Sequence, residues 1–176
     1  MILKLISLII ISCFVFYSCT NSSAGINSNS TKLTSAKERD DSVNSPTSDC
    51  DPTLWKYVYD ASRLQVLDKC KIVTGIIEET SADEDGDQHM LLKLDKGQKN
   101  LLTKKNKIKK QGDLVIEAVC INNITRKKAM GACTGYVNHV MLPQVGDHVK
   151  VTGSYVIDSH NGWAEIHPIT KIEKIK

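Results

Sequence analysis

Apolar and polar positions along the last two thirds of the chain fall into short runs of strand type, separated by turn residues. Residues 71–80, KIVTGIIEET, are rich in β-branched side chains. Gly75 within the run marks a bulge or sharp bend, so the segment predicts one long, curved strand. Residues 89–95, HMLLKLD, place Met90, Leu92 and Leu94 on one face and His89, Lys93 and Asp95 on the other, with Leu91 the exception. This is the pattern of a half-buried second strand. Asp85-Gly86 between the two runs is a hairpin signal. Residues 114–120, LVIEAVC, supply a third strand.

A loop with a helix-compatible stretch, residues 125–138, follows and contains Cys133. Residues 148–158 then alternate again, Val149, Val151, Tyr155 and Ile157 against His148, Lys150, Thr152, Ser154 and Asp158. A last strand runs from Trp163 to about Glu173, joined through Asn161-Gly162, the best two-residue hairpin turn in the chain. Near the start of this region Asp51-Pro52 opens a short helix as N-cap and first residue, with Leu54, Trp55, Val58 and Tyr59 at helical spacing. Three strands, a helix and two strands, with a curved first strand, predict a mainly β fold. The specific expectation is a five-stranded OB-fold-like Greek-key barrel with a helix between strands 3 and 4 and a short N-terminal helix.

The N-terminus has a different pattern. Residues 1–18, MILKLISLIIISCFVFYS, hold one early Lys4 and an apolar run of about 13 residues, too short for the roughly 30 Å hydrocarbon layer that takes about 20 helical residues. They read as a signal peptide of lipoprotein type, with Cys19 as the lipidated residue that joins the protein to a membrane. Phe16 and Tyr17 depart from the strict pattern before such a cysteine. Residues 19–48 are nearly all Ser, Thr, Asn and charge, and predict a flexible tether that cannot bury enough surface to offset its ordering entropy. The folded domain is then 49–176, in a chain that is exported and either anchored in the periplasm or at the cell surface, or secreted.

Six cysteines in 176 residues sharpen that reading. With Cys13 and Cys19 in the signal, Cys50, Cys70, Cys120 and Cys133 remain, and an even count in an exported protein favours disulfides. Of the three connectivities, Cys50–Cys70 with Cys120–Cys133 is preferred, because each pair brackets a short helix-like segment flanked by strands. A zinc site is the rival, but there is no C-x-x-C pair.

Composition restrains the function. The net charge is +3, and there are only three arginines, Arg39, Arg63 and Arg126, and 5% aromatic residues. Bidentate phosphate clamps and stacking platforms are therefore poorly supplied. Eight lysines between Lys93 and Lys110 form the one basic stretch; a solvated loop is favoured there over an anionic partner such as nucleic acid.

A two-residue turn at Asn161-Gly162 sets His160 opposite Trp163, Asp158 opposite Glu165 and Val156 opposite His167, all on one face. Facing acids are destabilising unless a cation or proton sits between them. Three explanations stand: a bound divalent metal, an internal pairing of the acids with histidine, and a ligand-binding patch whose ring is Trp163. The acidic loop holding Asp83, Glu84, Asp85 and Asp87, with His89 just after, resembles the start of a calcium loop, which makes Asp85 and Asp87 candidate metal ligands. It lacks the later acidic ligand and flanking helices of an EF-hand, so an acidic, solvated hairpin is favoured over a calcium loop. No resident cofactor is expected beyond such a metal.

The stretches CDPTLWKYVYDASRLQVLDKC, EDGDQHMLLKLD, LVIEAVC and VGDHVKVTGSYVIDSHNGWAEIHPI together resemble a family of uncharacterised exported bacterial proteins with an OB-fold-like domain. The resemblance covers about Cys50 to Glu173, and its most specific piece is GDHVKVTGSYVID followed by GWAEIHP. It implies fold and export, and carries no catalytic residues. DGD after a first strand is also superficially similar to the acidic motif of secreted thermonucleases, but the arginine pair that chemistry needs has no counterpart here. The expectation is a non-catalytic binding module for an extracytoplasmic ligand, with His89, Asp158, His160, Trp163, Glu165 and His167 as its binding residues. The alternative is a metal-dependent, nuclease-like hydrolase built on Asp87, His89, Asp158, Glu165 and His167.

Overall fold

A computed structural model describes residues 49–176. The signal segment 1–18, Cys19 and the tether 19–48 lie outside the described residues. Five strands are present: β1 Leu64–Ala82, β2 Gln88–Leu94, β3 Leu114–Ala118, β4 His148–Asp158 and β5 Ala164–Lys174. Their hydrogen-bonded order is β1-β2-β3-β5-β4, and β4 pairs back onto β1, so the ring of pairings closes. The sheet is mixed: β3 and β5 run parallel, and the other pairings are antiparallel.

Strand β1 makes closure possible because it serves two partners. Residues 64–76 pair with β4 and residues 75–82 with β2, so Gly75 faces Val149 on one side and Leu94 on the other. A Cβ built on Gly75 would lie 2.3 Å from the Lys93 carbonyl oxygen, and only glycine tolerates that approach. The bulges fall on either side, between Ile77 and Glu79 and between Val66 and Lys71. The strand begins seven residues before the expected 71, because its first turn of pairing is with the end of β4.

Inside the ring, Val73, Ile77, Met90, Leu92, Leu114, Ile116, Val151, Ile166 and Ile169 form the main core. Each fully buried Leu or Ile contributes on the order of 1.5–3 kcal/mol relative to exposure. A second, smaller core of Val58, Leu64, Val119, Cys120 and Val156 lies under the N-terminal segment. That segment is a 3-10 turn, Pro52–Tyr57, in which the Asp51 carboxylate accepts the Thr53 amide at 2.8 Å and Pro52 takes the first position. The short helix expected there is thus present in its tighter form.

Cys50 is bonded to Cys70 and Cys120 to Cys133, with Cα separations of 5.6 and 5.5 Å. Both are the local pairs. They fasten the N-terminal segment and the post-β3 loop to the sheet, and Tyr57 stacks on Tyr136 at 4.0 Å between them. The bridges fit an oxidising, extracytoplasmic environment. No helix among the described residues is long and apolar enough to cross a membrane.

Two expectations are corrected. Residues 125–138 hold only a single 3-10 turn, Lys127–Ala129; the α-helix, α1 Lys104–Lys109, lies between β2 and β3. Gly131, Gly135 and the tethered Cys133 leave the later stretch little helical tendency. In the lysine-rich stretch, Thr103 and Asn106 form a capping box that nucleates α1. The second correction is to the β4–β5 turn. Glu165 faces Val156 and Ala164 faces Ile157, so the connection is the loop 159–162 and Asp158 opposes Trp163, not Glu165. A shift of two residues preserves the alternation, and Asp158, Glu165 and His167 remain on one face.

Candidate functional site

The β4–β5 loop is longer than two residues because Asp158 organises it. Its Oδ1 accepts the His160 and Asn161 amides at 2.7 and 3.0 Å, and its Oδ2 accepts the Asn161 side-chain amide at 2.7 Å. An aspartate that bonds amides two and three residues on is a loop-forming residue. Oδ2 also accepts from Arg63 Nη1, which arrives from the 3-10 turn Ala61–Arg63 just before β1. The Arg63 carbonyl in turn accepts the Ser159 amide and hydroxyl. Arg63 therefore clips the loop to the N-terminal segment from both its side chain and its backbone.

The buried half of the site follows from strand register. His89 on β2 is opposite Glu117 on β3, and the parallel pairing of Val115 with Glu165 and Ile116 with Ile166 sets Glu117 next to His167. His167 Nδ1 lies 2.9 Å from Glu117 Oε2 and 3.3 Å from Glu165 Oε2, while His89 Nδ1 lies 2.9 Å from Glu117 Oε1. Trp163 Nε1 donates to Glu165 Oε1. On the far side of the ring His167 Nε2 is 3.5 Å from Asp87 Oδ2, and neither of those two atoms has a hydrogen-bond partner among the described residues. Asp87 Oδ1 accepts the Cys120 amide at 3.0 Å.

Burial alone would disfavour every charge in this cluster, yet the pairings decide otherwise. Burial works to raise Glu117, but the charge and hydrogen bond of His167, with the hydrogen bond of His89, outweigh it and hold Glu117 far below the ordinary carboxylate range. Burial likewise opposes the His167 cation, and the charge of Glu117 together with the close carboxylates of Asp87, Glu117 and Glu165 keeps it protonated well above the ordinary range. Asp87 is raised, because its burial exceeds the help from His167. Asp83 is raised by burial and then by the charge of Glu117. The cluster is thus an imidazolium held among carboxylates.

Helix α1 completes the wall. Asn106 is fully buried and has all its side-chain bonds satisfied: it donates to the carbonyls of Asp113 and Ala164 and accepts the amides of Ala164 and Thr103. It locks α1 against the start of β5. Lys110, just past the helix, then sits 4.2 Å from the Trp163 ring centroid, its Nζ 3.1 Å from His89 Nε2. An ammonium only donates, so His89 Nε2 accepts and its proton resides on Nδ1, directed at Glu117.

A cleft of about 610 Å³ opens above this cluster. Of the residues expected from the sequence, His89, Asp158, His160, Trp163, Glu165 and Asp85 line it, whereas Asp87 and His167 lie beneath it, 2% and 0% exposed. Asp158 and Glu165 do not share a compensating cation: the first is held by Arg63 and its own loop, the second by Trp163 and His167. Among the described residues two sets of side chains bring ligand atoms within 4.8 Å of one another, Asp83 with His89 and Glu117, and Asp87 with Glu117 and His167. Asp85 belongs to neither.

Three residues of the site were not picked out from the sequence. Glu117 had a signal, as the lone charge in an apolar strand, and such a charge must find a partner when buried. Lys110 was one of eight lysines and Arg63 preceded the expected first strand, so nothing local marked them. Comparison with protein-family models and with curated proteins finds no match for this chain.

Proposed function

We propose that this is an exported protein, lipid-anchored through Cys19, whose OB-type domain is a non-catalytic binding module for a polar extracytoplasmic ligand. The ligand occupies the cleft between the acidic loop 83–87 and the loop 159–162, the position that OB-folds commonly use between their first and fourth connections. The observation carrying this reading is the commitment of the acid–base groups to one another. His167 is sealed, Glu165 is bonded by Trp163, and Asp158 is spent on Arg63 and its loop. A fixed, charged, mostly satisfied surface recognises; it does not exchange protons readily.

The test uses the full chain. The two tryptophans, Trp55 and Trp163, give separate indole signals by NMR, and spermidine, inorganic phosphate, a muramyl peptide and a single-stranded oligonucleotide serve as probes. Binding that shifts Trp163 and the His160 amide but leaves Trp55 in place supports the reading. Cleavage of the oligonucleotide with a divalent ion, lost in Glu165→Gln, replaces it with the hydrolase. Cys19→Ser should move the protein out of the membrane fraction.

A further inference from the structure

The cleft carries more acid than its own cations can match. Among its lining residues seven carboxylates stand against three permanent cations, Arg63, Lys110 and Arg126. Arg63 is taken by Asp158 and Arg126 by Glu84. Asp83, half-buried, carries neither a hydrogen bond nor an ion pair on its carboxylate among the described residues. Its nearest functional neighbours are His89 and Glu117, and one ligand atom from each of the three lies within 4.8 Å of the others.

A second observation points the same way. Next to Glu117, the buried Asp87 Oδ2 has no hydrogen bond among the described residues and faces His167 Nε2 at 3.5 Å, and Asp87 forms with Glu117 and His167 the other close set of ligand atoms. The floor of the cleft thus has one carboxylate without a cation, Asp83, beside Glu117, which His167 and His89 already order, while Asp87 faces the His167 imidazolium from behind. Ordered outer partners of this kind are what orient metal ligands.

We propose that Asp83, His89 and Glu117 bind a divalent transition-metal ion at the floor of the cleft. The inference rests on the reading of this cleft as the binding site and names its first occupant. One imidazole with two carboxylates suits Zn²⁺ or Mn²⁺ better than Ca²⁺ or Mg²⁺, which prefer all-oxygen shells. Three protein ligands leave positions open through which an anionic group of a further ligand reaches the ion.

Lys110 is the resident competitor for this ion. A metal on His89 Nε2 takes the lone pair that the ammonium now uses; a metal on Nδ1 moves the proton to Nε2, which then faces that same ammonium at 3.1 Å. Either way Lys110 must leave His89, and in leaving it uncovers the face of Trp163. Metal binding and Trp163 are therefore coupled, and removing the lysine should favour the metal.

The experiment takes the full, untagged chain, stripped with chelator, and titrates Zn²⁺, Mn²⁺, Mg²⁺ and Ca²⁺ by calorimetry and by the Trp163 indole signal, with Mn²⁺ also followed by electron spin resonance. Expected is saturable binding of one Zn²⁺ or Mn²⁺ that shifts Trp163, weakened about tenfold or more in Asp83→Asn and tightened about tenfold in Lys110→Met. The Asp83 side chain makes no hydrogen bond among the described residues, and its backbone bonds to Asp87 and Gly86 are kept in the variant, which should therefore fold. Absence of saturable Zn²⁺ and Mn²⁺ binding overturns the proposal, as does affinity unchanged in both variants. If the metals fail while a polar probe still shifts Trp163, the metal site alone is refuted. Metal binding with every polar probe silent leaves the site standing and removes the wider ligand reading.

Discussion

Glu117 and His167 meet at 2.9 Å across the one parallel pairing in the sheet, and both are buried. The contact links β3, which comes from an apolar run, to β5, which carries the histidine, and through Glu117 it reaches His89 on β2.

Removing one partner of a buried pair leaves the other charge uncompensated. Glu117→Gln should therefore cost about 3–5 kcal/mol of stability. Urea denaturation with an unchanged slope checks it, and a loss below about 1 kcal/mol would place the pair among those of surface strength.

Gly75→Ala drives a methyl group to 2.3 Å from a backbone carbonyl that belongs to the ring itself. A loss of about 1–3 kcal/mol or more is expected, since backbone cannot yield as a side chain does. Gly131→Ala is the control, because nothing lies within 4 Å of its added Cβ. Equal midpoints for the two variants in chemical denaturation would contradict the shared-strand account of β1.

Each disulfide closes a short loop, with sequence separations of 20 and 13. Replacing either pair by serine should remove about 3 kcal/mol in the chain-entropy picture. Peptide mapping without reductant should recover Cys50 with Cys70 and Cys120 with Cys133; a crossed pair would overturn the connectivity.

Asp95 is held below its ordinary value of 3.8, first by a hydrogen bond with Thr74 and then by His148, whose Nε2 lies 2.9 Å away. A carboxylate with a depressed folded value stabilises above its unfolded value, and that contribution is lost as the pH falls through the folded one. The melting-temperature gap between the native chain and Asp95→Asn should hold down to about pH 5 and close toward pH 3. A gap that widens on acidification would reverse the sign.

The bounds of β2 and β4 were legible almost to the residue from alternation and turn residues, but their burial was not: β2 also buries His89 and Leu91, and β4 buries Thr152, Ser154, Val156 and Asp158 while Tyr155 and Ile157 are only partly buried. The two disulfides followed from cysteine count and spacing. The β4–β5 turn was harder: Asn161-Gly162 is a strong local signal, but the Asp158 side chain captures the next amides and, with Arg63 from 95 residues away, sets a longer loop. The helix was misplaced for a related reason. Beyond its local capping box with Thr103, Asn106 is satisfied by Ala164 and Asp113, and no local pattern announces the distant partner Ala164.

The sequence by itself determined the order and approximate bounds of the strands, the cysteine pairs and the presence of His89, Asp158, Trp163, Glu165 and His167 near one hairpin and one acidic loop. These depend on side-chain period and short spacing, which the chain writes locally. Only the tertiary structure decided that β3 lies parallel to β5, and so that Glu117 joins His89 to His167, that Arg63 takes Asp158, and that Lys110 covers Trp163. Those contacts arise from ring closure between segments distant along the chain, where burial rather than local propensity chooses each charge's partner.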